Sequence, residues 1–115
     1  HRGRVLLIGD AAHASTPFMG QGGAMAIQDA VMLARALIRH SDLESALTAF
    51  GKARTGPCRF VQDVSRAVGE AGANEDIANL ASRNAELART AQEKVDGFYG
   101  RLAALNAEAE QIVSQ

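Results

Sequence analysis

The sequence predicts a mainly helical chain that opens on one short strand, a pattern expected of a piece of an α/β fold. Two features carry that expectation. Residues 4–9, RVLLIG, are a continuous apolar run with β-branched members that stops at Gly9. Such a run fits a strand covered on both faces in a parallel sheet. From about residue 20 onward, apolar residues return at intervals of three and four, the period of helices that bury one face. At 115 residues the chain amounts to one domain at most.

The elements follow in order. Residues 10–19 read as a loop, in which Pro17 lacks a backbone N–H and pushes Thr16 toward extended geometry. A helix is expected from about 20–22 to about 40, with Met25, Ala26, Val31, Leu33, Ala34, Leu37 and Ile38 on a wide apolar face. Ser41 or Asp42 caps a second helix, with Leu43, Leu47 and Phe50 inward. Gly56-Pro57 punctuates, Pro57 taking a first-turn position of a third helix that carries Phe60, Val61, Val64 and Val68. Residues 69–74 form a Gly/Ala-rich joint. The tail, 75–115, places Ile77, Ala81, Ala88, Val95, Phe98, Leu102, Leu105, Ala109 and Ile112 at three-four spacing. It is one long amphipathic helix or two broken near Gly97 and Gly100. The division expected is 1–40, a strand, loop and helix unit, and 41–115, a helical region.

Twelve Lys and Arg against 13 Asp and Glu give a net charge of −1, so no global field points to nucleic acid or an anionic membrane. No apolar run approaches the roughly 20 residues of a membrane span. One cysteine, Cys58, excludes an internal disulfide and fits a reducing, cytoplasmic setting. A chain that opens at His1 reads as an excerpt.

The chemistry concentrates in residues 9–24. A strand ending in Gly9-Asp10 puts a carboxylate at the carboxyl end of a sheet, where open α/β folds bind ligands. A carboxylate there suits hydroxyl donors. Ten residues on, Gly20-Gln21-Gly22-Gly23 opens a helix. Glycines let backbone approach a ligand, and the first N–H groups of a helix have no internal partners. Those donors, at the positive end of the helix dipole, suit an anionic or electron-rich group.

The ordered set Gly9-Asp10-Ala11-Ala12-His13, Pro17, Gly20-Gln21-Gly22 and Asp29-Ala30 resembles the second flavin-binding signature of the group A flavoprotein monooxygenases. The match is dense over 4–37. It implies a Rossmann-like, FAD-binding α/β parent fold of the p-hydroxybenzoate hydroxylase type, of which this chain is a C-terminal piece. It also implies that Gly9 and Asp10 bind FAD, Asp10 through the ribityl hydroxyls. Gly20, Gln21, Gly22, Gly23 and Ala24 would form the cradle, with the amides of Gly22, Gly23 and Ala24 at the pyrimidine edge of the ring. Pro17 would lie beside the ring, where oxygen reacts. The implied activity uses NADH or NADPH and O2 to hydroxylate a small, aromatic substrate. Ala24 and Gln28 stand where many members carry Asn and Glu, which leaves the cradle with backbone contacts only.

No G-x-G-x-x-G fingerprint occurs in the chain, so alone it is not expected to hold FAD tightly or turn over substrate. His13 reads as a structural hydrogen-bonding residue, Met19 and Met25 as packing, Cys58 as inert, and the Arg54/Arg59 pair as a solvated surface feature. His1, His13 and His40 lack metal-ligand spacing, and no metal is expected. The competing reading is a helical oligomerisation module without activity, in which copies bury the run 5–8 and the tail's apolar stripe against one another. A homo-oligomer of the piece is expected on the same ground.

Overall fold

The computed structural model describes residues 1–73 and 76–115. Among these residues, helices carry the fold: α1, Asp10–His13; α2, Gly22–Arg39; α3, Leu43–Gly72; and α4, Ile77–Ser114. A 3-10 turn, Pro17–Met19, precedes α2. The last expected joint residue, Asn74, the first expected tail residue, Glu75, and the side chain of Ile77 lie outside the described residues.

Helix α2 starts and stops where its pattern predicts. Asp42 caps α3, its carboxylate accepting from the Ser45 amide at 2.9 Å. The tail is a single helix rather than two: Gly97 and Gly100 lie inside α4. Thirty-eight residues give it a length of about 57 Å, which accounts for the molecule's longest dimension of 58 Å.

Among the described residues the core has two apolar clusters. One joins Met32 and Ala36 of α2 to Ala46, Phe50 and Ala53 of α3 and to Ala109 and Val113 of α4. The other joins Met25 to Cys58, Val61, Phe98 and Leu102. Rising numbers in α2 meet falling numbers in α3 and rising numbers in α4, so α3 runs antiparallel to both neighbours. Leu47 and Phe50 point inward as expected, whereas Leu43 stays 40% exposed. The expected face of α2 is wider than the bundle uses. Its buried stripe is Met25, Asp29, Met32 and Ala36, and Ile38 is left 85% exposed. In the tail, Phe98, Leu102 and Ala109 are buried, while Ala81, Ala88 and Val95 are exposed.

Two expectations are corrected. Among the described residues, 4–9 form no strand. The only pairing is an isolated antiparallel bridge between Arg2 and Val5, with N···O distances of 2.9 and 3.1 Å. A strand needs partner strands for its N–H and C=O groups, and the described residues supply none. Val5 and Leu7 are accordingly 67% and 58% exposed, and only Leu6 packs against the core. The second correction concerns Gly56-Pro57, which does not end a helix: Pro57 lies buried inside α3. An interior proline removes a hydrogen bond and crowds the preceding turn, a cost of about 3 kcal/mol. Packing offsets it, since Phe50, Ala53 and Arg54 before the proline and Cys58 and Val61 after it are all buried. No helix among the described residues is long and apolar enough to cross a membrane.

Candidate functional site

The site begins at Gly9. Its φ of 57° lies in the left-handed region, where a side chain is strained. A Cβ there would also touch the Ala26 Cβ at 3.4 Å, so glycine serves both the turn and its approach to α2. The Gly9 carbonyl accepts from the amides of Ala12 and His13, each at 2.9 Å. These bonds wind α1 and leave Asp10, in its first turn, exposed.

What holds this turn is Asp29, a side chain to which sequence reasoning gave no role. It is 1% exposed on the inner stripe of α2. Its Oδ2 accepts from the Gly9 amide at 2.8 Å and from His13 Nε2 at 2.6 Å. Its Oδ1 accepts from Arg54 Nε at 2.7 Å. Burial pushes the Asp29 pKa up, but the Gly9 amide, His13 and Arg54 together outweigh it and hold the carboxyl below its usual range. An ionised carboxylate only accepts, so His13 carries its proton on Nε2. His13 is buried as well, which agrees with its reading as a structural hydrogen-bonding residue.

Arg54 corrects the expectation of a solvated Arg54/Arg59 pair. It is 4% exposed, and only Arg59 faces solvent. The Arg54 fork also donates to the Met25 carbonyl at 3.3 Å and reaches Asn106 of α4 at 3.5 Å. The polar layer thus sits between the two apolar clusters and ties α2, α3 and α4 together. The missed signal was Asp29 itself, a charge at the inward register of an apolar stripe, which requires a buried partner.

The expected cradle residues converge on one side of this layer. Asp10 Oδ1 lies 3.8 Å from the point where a Gly22 Cβ would stand, and nothing lies within 4 Å of the corresponding points at Gly20 and Gly23. The carboxylate therefore borders the mouth of α2, with open space beside it. Gln21 precedes the helix without a side-chain cap, so the amides of Gly22, Gly23 and Ala24 keep their outward donors. The Gln21 side chain turns away, toward the Met19 carbonyl and Tyr99 Oη, each at 3.4 Å. Pro17 is exposed at the head of its turn, which Gly20 closes by donating to the Pro17 carbonyl at 3.0 Å.

On the other side, a cleft of about 230 Å³ is lined by Leu6, His13, Arg54, Cys58 and Gln62 among others. His13, Asp29 and Cys58 bring ligand-type atoms within 4.8 Å of one another. Their chemistry is that of a hydrogen-bonded ion pair rather than a cation's donor set. Both carboxylate oxygens are engaged, the guanidinium is adjacent, and burial pushes the Cys58 thiol up to about 11.

Residues 1–54 match the family described as FAD binding domain. Over those residues the chain is similar to the group A FAD-dependent monooxygenases. Its relatives include the Bacillus subtilis protein YetM, named as an FAD-dependent monooxygenase, 48% identical over 83 residues that make up 67% of this chain and 22% of YetM. The kynurenine 3-monooxygenase of Stenotrophomonas maltophilia is 48% identical over 64 residues, 56% of this chain and 14% of that enzyme. That of Xanthomonas euvesicatoria is 51% identical over 63 residues, 55% and 14% of the two chains. The matched part is thus about a fifth or less of these relatives' length. No solved structure gives a significant match.

Proposed function

We propose that this chain forms part of an FAD-dependent monooxygenase and supplies the half of the flavin site that meets the ring and ribityl chain. The observation that carries the reading is the exposed Asp10 carboxylate set against the open, uncapped mouth of α2. Asp10 accepts hydrogen bonds from the ribityl hydroxyls. Gly22, Gly23 and Ala24 offer amides to the pyrimidine edge, where reduced flavin carries negative charge, and the helix dipole adds to that stabilisation. Gly9, Gly20 and Gln21 shape the approach, and Pro17 flanks the ring. When bound, FAD would take two electrons from a nicotinamide and use them on O2, so that one oxygen atom goes to the substrate and the other leaves as water. The residues of this chain position and polarise it. The unit 1–40 completes the FAD-binding domain, and 41–115 packs behind it.

A small aromatic molecule is the substrate class, NADH or NADPH the reductant, and these 115 residues alone are inactive. The kynurenine 3-monooxygenase relatives support the aromatic class. The exposed apolar side chains Val5, Leu7, Ile8 and Ile38 fit surfaces that the rest of such an enzyme covers. A self-assembling helical module would bury the same groups, and sedimentation of the isolated chain separates the two.

The direct test expresses the full reading frame that contains these residues and follows flavin absorbance and NAD(P)H-dependent O2 uptake. Asp10→Ala should weaken FAD binding by about 1–3 kcal/mol, the loss of a charged hydrogen-bond partner, with thermal stability kept. A colourless protein that cannot be reconstituted with FAD would rule the reading out.

A further inference from the structure

The loop that carries Pro17 is strapped along α3. Gln62 Nε2 donates to the Ala14 carbonyl at 3.0 Å. One turn on, Ser65 Oγ donates to the Thr16 carbonyl at 2.6 Å and lies 2.7 Å from Thr16 Oγ1. A serine hydroxyl has one proton, and the carbonyl takes it, so the Thr16 hydroxyl donates the second bond. One turn further, a Cβ on Gly69 would fall 2.9 Å from Phe18 Cδ2 and nearer still to Cε2. The Phe18 ring occupies the place of the missing side chain. Positions 62, 65 and 69 share one helical face and span about 10 Å of axis. They hold residues 14, 16 and 18, whose extended reach is about 13 Å. Ser65 is fully buried, Thr16 is extended, and the two held residues Thr16 and Phe18 bracket Pro17.

We propose that Gln62, Ser65 and Gly69 form a rail on α3 that sets the Pro17 turn against the flavin ring. This rests on the flavin reading above. All three lie beyond residue 54, outside the FAD binding domain match. They are positioning residues, acting through Ala14, Thr16 and Phe18 without touching the cofactor. The rail makes the ring's surroundings depend on a helix outside the cradle itself.

The test uses the full reading frame with Ser65→Ala, Gly69→Ala and Thr16→Val. The last is close in shape to threonine and at an exposed position, and Thr16→Ser serves as the hydroxyl-keeping control. Exchange of the Gly20 amide, which donates to the Pro17 carbonyl, should quicken roughly tenfold in Ser65→Ala, the fold-change of one neutral hydrogen bond. The bound-flavin absorbance should shift in Ser65→Ala and Gly69→Ala while FAD affinity is retained, because Asp10 and the mouth of α2 are untouched. Thr16→Ser should match the wild type. A coloured wild type whose variants keep its exchange rates and flavin spectrum, even with lowered melting temperatures, would overturn the rail alone. A wild type that takes up no FAD would overturn the flavin reading and the rail with it.

Discussion

Residues 5–8 and 9–13 follow one another in the chain but differ in where their partners lie. The first group is apolar, and apart from Leu6 it stands largely in solvent. The second is small and polar, yet its turn is fixed by Asp29 from α2, with Arg54 of α3 behind it. A strand's hydrogen bonds must come from other strands, and the described residues include none. The turn's bonds come from a carboxylate 20 residues away. The geometry at Asp10 therefore persists where the sheet geometry beside it does not.

Removing the partner that the turn relies on should break this contrast most strongly. Arg54→Ala leaves the Asp29 carboxylate buried without its cation, which costs about 3–5 kcal/mol. Urea denaturation should read that loss, and hydrogen exchange should show the amides of 9–13 released while those of 5–8 stay as they were. A loss under about 1 kcal/mol would mean the pair is solvated.

Acid should sharpen the contrast less severely. The folded Asp29 carboxyl lies below its ordinary value of 3.8. Its contribution is complete above 3.8 and disappears as the pH falls through the folded value. Exchange protection of the Gly9 amide should fall in that window, and the amides of 5–8 should show no such step. Equal responses in the two segments would deny Asp29 its role. The smallest effect belongs to Leu7→Ser. At a side chain already 58% exposed, the isolated chain should change by no more than about 0.5 kcal/mol. A much larger loss, growing with protein concentration, would show that copies bury this run.

How legible the molecule was depended on how far each partner lay along the chain. Helix α2, the Asp42 cap and the grouping of Asp10 with Gly22 were readable because local pattern and ordered motif determine them. The strand at 4–9 was misread because its apolar run is only half of an interaction. Pro57 looked like a boundary because propensity speaks for the local backbone, while the packing of Phe50 and Val61 on either side was invisible. Arg54 looked like a surface arginine, since nothing near it in sequence names a carboxylate 25 positions earlier. Ser65 offered no signal at all, because an isolated serine in a helix is ordinarily solvated.

The pair of Asp29 and Arg54 has one more effect, on alignment. The apolar groups meeting between α2 and α3 are non-directional: Met25, Met32 and Ala36 on one side and Ala46, Phe50, Ala53, Cys58 and Val61 on the other. A slip of one turn, about 5.4 Å, would strand two opposite charges in oil. The penalty for that error is far larger than any gain from the correct match. The two residues thus disfavour a slipped register, and the mouth of α2 meets Asp10 in the register they share.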